Sequence, residues 1–129
     1  MTKVQRKTED KAFLKYLCQK NEIKRGQSKK FSISNNRGFT KDIAVFNFDG
    51  KFYALSNVCA HKGGPLNEGM FEKYLVTCPW HGWKYDVRTG NPPHEGGDSV
   101  DCYTVTVIEN KLYADFRPAK IGTKFNSST

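Results

Sequence analysis

An all-β fold, a small antiparallel β-sandwich or barrel, is what the residues predict. Three observations carry it: short β-branched and aromatic runs recur, turn residues separate them at hairpin length, and no stretch makes a clear helix. The 129 residues suit one domain with a single core that needs no disulfide staples. No apolar run reaches membrane-spanning length, and the N-terminal MTKVQRKTEDK lacks a signal-peptide core, so the expectation is a cytoplasmic protein without a membrane span.

Residues 1–12 are basic and aperiodic, and are expected to be a flexible N-terminal segment. Residues 13–18 (FLKYLC) fit a helical turn and a strand equally. Residues 21–27 form a polar connection with Gly26, and residues 30–34 (KFSIS) alternate as a half-buried strand does. After a loop at 35–39, residues 43–48 and 51–55 are β-branched and aromatic, separated by Asp49-Gly50. Such a dipeptide favours a type I′ hairpin, because both of its residues take positive φ. Residues 74–77 and 83–87 read as strands, 88–90 (RTG) as a turn, and 91–98 (NPPHEGGD) as a third loop. Residues 103–108 and 111–115 form two more strands joined by Glu109-Asn110, and residues 117–129 read as a flexible tail.

Within this pattern lies CAHKGGPLNEGMFEKYLVTCPWHGWKY, residues 59–85, with two pairs: Cys59-Ala60-His61 and Cys78-Pro79-Trp80-His81. A Cys2His2 zinc finger groups its ligands as Cys-Cys then His-His, since each pair closes one side of a tetrahedron. Here each pair is mixed, so two facing loops each offer one sulfur and one nitrogen. That suits a centre with unlike ends, thiolates on one iron and imidazoles on the other. A mononuclear zinc site is the competing reading.

C-x-H, sixteen residues, then C-x-x-H within C-P-x-H-G-W-x-Y resembles the motif of the Rieske [2Fe–2S] family, over residues 13–116. The resemblance makes 13–18 a strand. It implies a Rieske domain of residues 13–116, with a cluster-binding subdomain of two hairpin loops at about 57–87. It implies one [2Fe-2S] cluster, with Cys59 and Cys78 on the buried iron and His61 and His81 on the iron nearer solvent. Two thiolates leave the oxidised centre neutral, whereas four would leave it a dianion, so adding an electron is easier here than in plant-type ferredoxins.

In high-potential members of the family each loop carries a further cysteine and the two form a disulfide. Gly64 and Trp80 occupy those positions in this chain. Those members also place a serine where this chain has Trp83, while Tyr85 matches the tyrosine of the pattern. Fewer donors to the centre imply the low-potential branch, that of soluble ferredoxins and ring-hydroxylating oxygenases. Trp80 has three open roles: shield, docking face or core residue. Lys62 is either a contact for an acidic partner or a solvated lysine, and His94 falls outside the four-ligand set. Cys18 and Cys102 read as small buried apolar residues rather than a bridge.

The net charge is +8, with Lys and Arg concentrated in the first thirty residues and after Arg117. Basic ends serve solubility or meet an acidic redox partner, and no DNA-reading element is visible. The expected function is one-electron transfer from a reductase to an oxygenase or other terminal redox enzyme, by a monomer whose partners carry acidic docking surfaces. An oxygenase in its own right needs two further histidines and a carboxylate for a mononuclear iron. Only His94 remains once His61 and His81 are spent, so the chain itself is expected to be a carrier and no enzyme. A small Rieske subunit of a larger oxidoreductase complex, nitrite-reductase-like or a split oxygenase, stays open.

Overall fold

The computed structural model describes residues 13–34, 38, 40–60, 63–80, 82–93 and 97–117. The segments expected to flank the domain, 1–12 and all but the first residue of 117–129, lie outside the described residues, as do His61, Lys62, His81 and His94. Ten strands form three antiparallel sheets: β1 (Leu14–Gln19), β2 (Ser28–Ser34), β3 (Thr40–Phe48), β4 (Lys51–Ser56), β5 (Met70–Glu72), β6 (Leu75–Thr77), β7 (Lys84–Asp86), β8 (Cys102–Tyr103), β9 (Val105–Ile108) and β10 (Lys111–Asp115). The sheet orders are β1-β10-β9, β2-β3-β4-β8 and β5-β6-β7. Among the described residues the only helical pieces are single 3-10 turns at Lys20–Glu22 and Leu66–Glu68.

The run Ile43-Ala44-Val45-Phe46 explains the architecture. Successive strand residues face opposite sides of a sheet, so an uninterrupted apolar run needs cover on both. Ile43 and Val45 enter a core with Cys18, Ile23, Ile33, Ala54, Tyr103, Leu112 and Ala114, which fills the space between the central sheet and the β1-β10-β9 sheet. Ala44 and Phe46 enter a second core with Leu55, Leu66, Val76 and Tyr85, which joins the central sheet to the β5-β6-β7 unit. β4 alternates in the same way, Ala54 to the first core and Leu55 to the second. The central sheet is therefore the shared wall of a sandwich and of a smaller subdomain.

Both hairpins read from two-residue turns have the required backbone. Asp49 and Gly50 have φ of 54° and 90°, and Glu109 and Asn110 have φ of 51° and 65°. Three features escaped the sequence pattern. β5 pairs with β6 around Lys73-Tyr74, a turn that carries no Gly, Asn or Asp signal. Residues 103–108, expected as one strand, split at Thr104: β8 pairs with β4, whereas β9 pairs with β10. A strand that changes sheets at a corner keeps an unbroken β-type sequence, so the break is invisible in composition. The single 3-10 turn at Lys20–Glu22 overlaps the start of the stretch 21–27 read as a polar connection.

Candidate metal centre

The two cysteine loops are built alike. In the first, the Cys59 N–H donates to the Gly64 carbonyl (2.9 Å) and the Gly63 N–H donates to the Cys59 carbonyl (2.9 Å). In the second, the Cys78 N–H donates to the Trp83 carbonyl (2.7 Å) and the Gly82 N–H to the Cys78 carbonyl (3.0 Å). Each cysteine thus closes the base of its loop through residues four and five positions on. The residue at the fourth position needs a left-handed backbone, and Gly63 and Gly82 supply it with φ of 78° and 74°. In sequence, His61 and His81 fall inside these closures; neither belongs to the described residues.

Gly64 serves a different need. Its φ is not positive. A Cβ there would lie 2.6 Å from the Cys78 Sγ and 2.9 Å from the Trp80 Cγ. The missing side chain is what lets one loop approach the other's sulfur.

The first loop is anchored by a pair of asparagines that sequence reasoning missed. Buried Asn57 donates through Nδ2 to the Asn67 Oδ1 (2.9 Å), and its Oδ1 accepts the Asn67 N–H (2.7 Å). Its backbone carbonyl accepts the Leu66 N–H (2.8 Å). The only sequence signal was two amide residues flanking the loop. Asn57→Ala leaves the Asn67 N–H without its acceptor, so a loss of about 1–3 kcal/mol in stability is expected. A lower denaturation midpoint at unchanged slope checks it.

Cys59 and Cys78 are both buried thiols in the second core, backed by Phe46, Leu55, Leu66 and Val76. Tyr85 is fully buried, and its hydroxyl lies 3.2 Å from the Cys59 Sγ. Burial pushes the Tyr85 hydroxyl well above its ordinary pKa; its hydrogen bond to Cys59 and the Cys59 and Cys78 charges add to this, against an opposing Ala60 backbone hydrogen bond. Tyr85 therefore stays protonated and able to donate to a thiolate. Trp83 packs partly buried against the same core, while Trp80 is 58% exposed. The other two cysteines, Cys18 and Cys102, are buried thiols in different cores.

These residues fit the sulfur-bearing half of a two-iron centre. Two thiols come from matched loops, water is excluded by aliphatic and aromatic side chains, a donor points at one sulfur, and a glycine clears room beside the other. No described helix is long and apolar enough to cross a membrane.

Comparison with known proteins agrees. The model of the Rieske [2Fe-2S] domain matches residues 14–104. Human apoptosis-inducing factor 3 is 31% identical over 98 residues, which cover 75% of this chain but only 15% of that protein. The 3-phenylpropionate/cinnamic acid dioxygenase ferredoxin subunit of Photorhabdus laumondii is 30% identical over 100 residues, 76% of this chain and 90% of that one. Among solved structures, the ferredoxin of carbazole 1,9a-dioxygenase from Nocardioides aromaticivorans superposes with a TM-score of 0.71 at 25% identity, covering 78% of this chain and 95% of that one. With the family model spanning well over half its length, the chain belongs to the Rieske [2Fe-2S] domain family.

Proposed function

We propose that this protein is a one-electron carrier that passes electrons from a reductase to an oxygenase or similar terminal enzyme. The observation that carries the reading is the pair of buried thiols, Cys59 and Cys78, on two loops of identical hydrogen bonding. Cys59, His61, Cys78 and His81 hold the [2Fe-2S] cluster, whose chemistry is the reversible uptake of one electron at a potential raised by its imidazole ligands. The protein's part is to hold both sulfurs at fixed positions in a water-poor core and to donate from Tyr85 to Cys59. Residues 13–116 form the electron-carrying domain, with the cluster-binding subdomain at about 57–87. Iron and acid-labile sulfide per chain, with visible spectra before and after dithionite, test the reading. Two of each and bleaching on reduction support it; one zinc and no colour sink it.

Docking falls to the cluster end. Of the six exposed large hydrophobic residues among those described, four (Val58, Met70, Tyr74 and Trp80) belong to the subdomain. Lys73 and Lys84 stand exposed on the same unit beside exposed Glu68 and Glu72, so the preference for partners with acidic docking surfaces rests on the net charge of +8 of the whole chain. A protein that meets two partners in turn is best served as a monomer. Cys18 and Cys102, buried and not bridged to each other, suit the reducing cytoplasm.

The second reading, a Rieske module within a larger oxidoreductase, is favoured by one fact: the matched region is a small part of the much longer apoptosis-inducing factor 3. Solution size and co-purification separate the two.

Tyr85→Phe keeps the ring and removes the donor. The added electron places more negative charge on the sulfurs, so losing the donor disfavours the reduced state. A fall in reduction potential of about 60 mV is expected, the one-electron equivalent of a tenfold change in equilibrium constant. Protein-film voltammetry reads it, and an unchanged potential removes Tyr85 from this role.

A further inference from the structure

We infer that Trp80 clamps the two cysteine loops together across their interface, with Gly64 as its seat. The inference rests on the functional reading above only for its consequence, and its geometry stands apart from it. Trp80 belongs to the second loop, yet its Cγ and Cδ2 lie 2.9 Å and 3.1 Å from where a Gly64 Cβ would be. The indole therefore packs directly on the backbone of the first loop. The same Gly64 position lies 2.6 Å from the Cys78 Sγ, so ring and sulfur share one seat.

Three details make this more than incidental contact. Gly64 is buried although Trp80 is largely exposed, so the ring covers the glycine while its remaining surface meets solvent. Gly64 needs no unusual φ, unlike its neighbour Gly63, so space for the ring and the sulfur is the reason for the missing side chain. The Gly64 carbonyl accepts the Cys59 N–H, so pressing on Gly64 also fixes the backbone that presents the other thiol. A side chain between the two cysteines' loops thus couples the position of Cys78 to that of Cys59, through an aromatic contact in place of a covalent link. The consequence is retention of the bound centre: while the clamp is closed, the loops cannot part to admit water or a chelator.

Peptide-level amide hydrogen exchange on the full chain as isolated tests the coupling. Trp80→Ala is expected to raise exchange about tenfold in the first loop, at the Cys59 and Gly63 amides, although the substitution lies in the second. The β3–β4 hairpin should exchange as before. Trp80→Phe, which keeps an aromatic ring on the seat, should stay close to wild type. In parallel, Trp80→Ala should bleach about fivefold faster than wild type under excess EDTA, and Trp80→Phe much less. Exchange that rises only around Cys78 and Gly82 overturns the clamp, as does bleaching of Trp80→Ala at the wild-type rate. If the wild-type chain binds no iron, the functional reading fails, while the exchange experiment still decides the clamp.

Discussion

Alanine at Cys59 or at Cys78 is expected to yield a colourless protein with iron and acid-labile sulfide near zero per chain, while alanine at Cys18 or Cys102 leaves both at the wild-type level. All four are buried thiols, so burial does not distinguish them. Position does. Cys59 and Cys78 each sit at the hydrogen-bonded base of a loop, whereas Cys18 lies in β1 and Cys102 in β8, within sheet structure. Removing one thiolate leaves an iron short of a ligand, and the remaining sulfur cannot hold a centre that needs two. The fold should survive in every case, because trading a buried thiol for a methyl costs about 1 kcal/mol. Cooperative unfolding followed by circular dichroism verifies that point and so separates ligand loss from misfolding. Retention of iron in Cys59→Ala together with its loss in Cys102→Ala would overturn the ligand assignment.

How much of this was legible beforehand depends on the kind of signal. The two cysteine loops stood out because candidate ligands are Cys or His and tight loops favour Gly or Pro, so chemistry restricts the alphabet there. Asp49-Gly50 was legible for the same reason, since its positive φ values select residue types. The Lys73-Tyr74 turn was not, because a lysine stands at a φ of 56° where Gly, Asn or Asp would have announced it. The hydrophobic run at 43–46 announced a strand but not its two cores; which side each residue faces became meaningful only once a second layer was there to receive Ala44 and Phe46. Asn57 and Asn67 looked like ordinary loop amides, and only their reciprocal hydrogen bonds show them to be the anchor of the first loop. Gly64 and Gly69 are the sharpest case. Their backbones are unremarkable, and the need for glycine comes wholly from atoms distant in sequence.

Gly69→Ala should accordingly be among the most damaging single substitutions in the subdomain. A Cβ at Gly69 would fall onto the Thr77 carbonyl oxygen, with the Leu66 carbonyl oxygen 3.3 Å away. Both are backbone atoms, so no side chain can swing aside, and relief requires β5 and β6 to part where Met70 pairs with Thr77. Thr77 directly precedes Cys78, so the displacement is delivered to a proposed cluster ligand. Overpacking of this kind costs about 3 kcal/mol. Because β5-β6-β7 is a separate sheet, the loss should fall on the subdomain: the visible absorbance disappears at a lower temperature, while the far-ultraviolet signal of the sandwich melts nearly as in wild type. Gly26→Ala supplies the contrast. Nothing lies within 4 Å of its Cβ, so its φ of 81° is the only obstacle, and the cost is about 1 kcal/mol with the absorbance intact. Equal effects from the two substitutions would mean that Gly69 is conformational after all, and that the approach of β5 to the Cys78 loop is not what holds the second thiol in place.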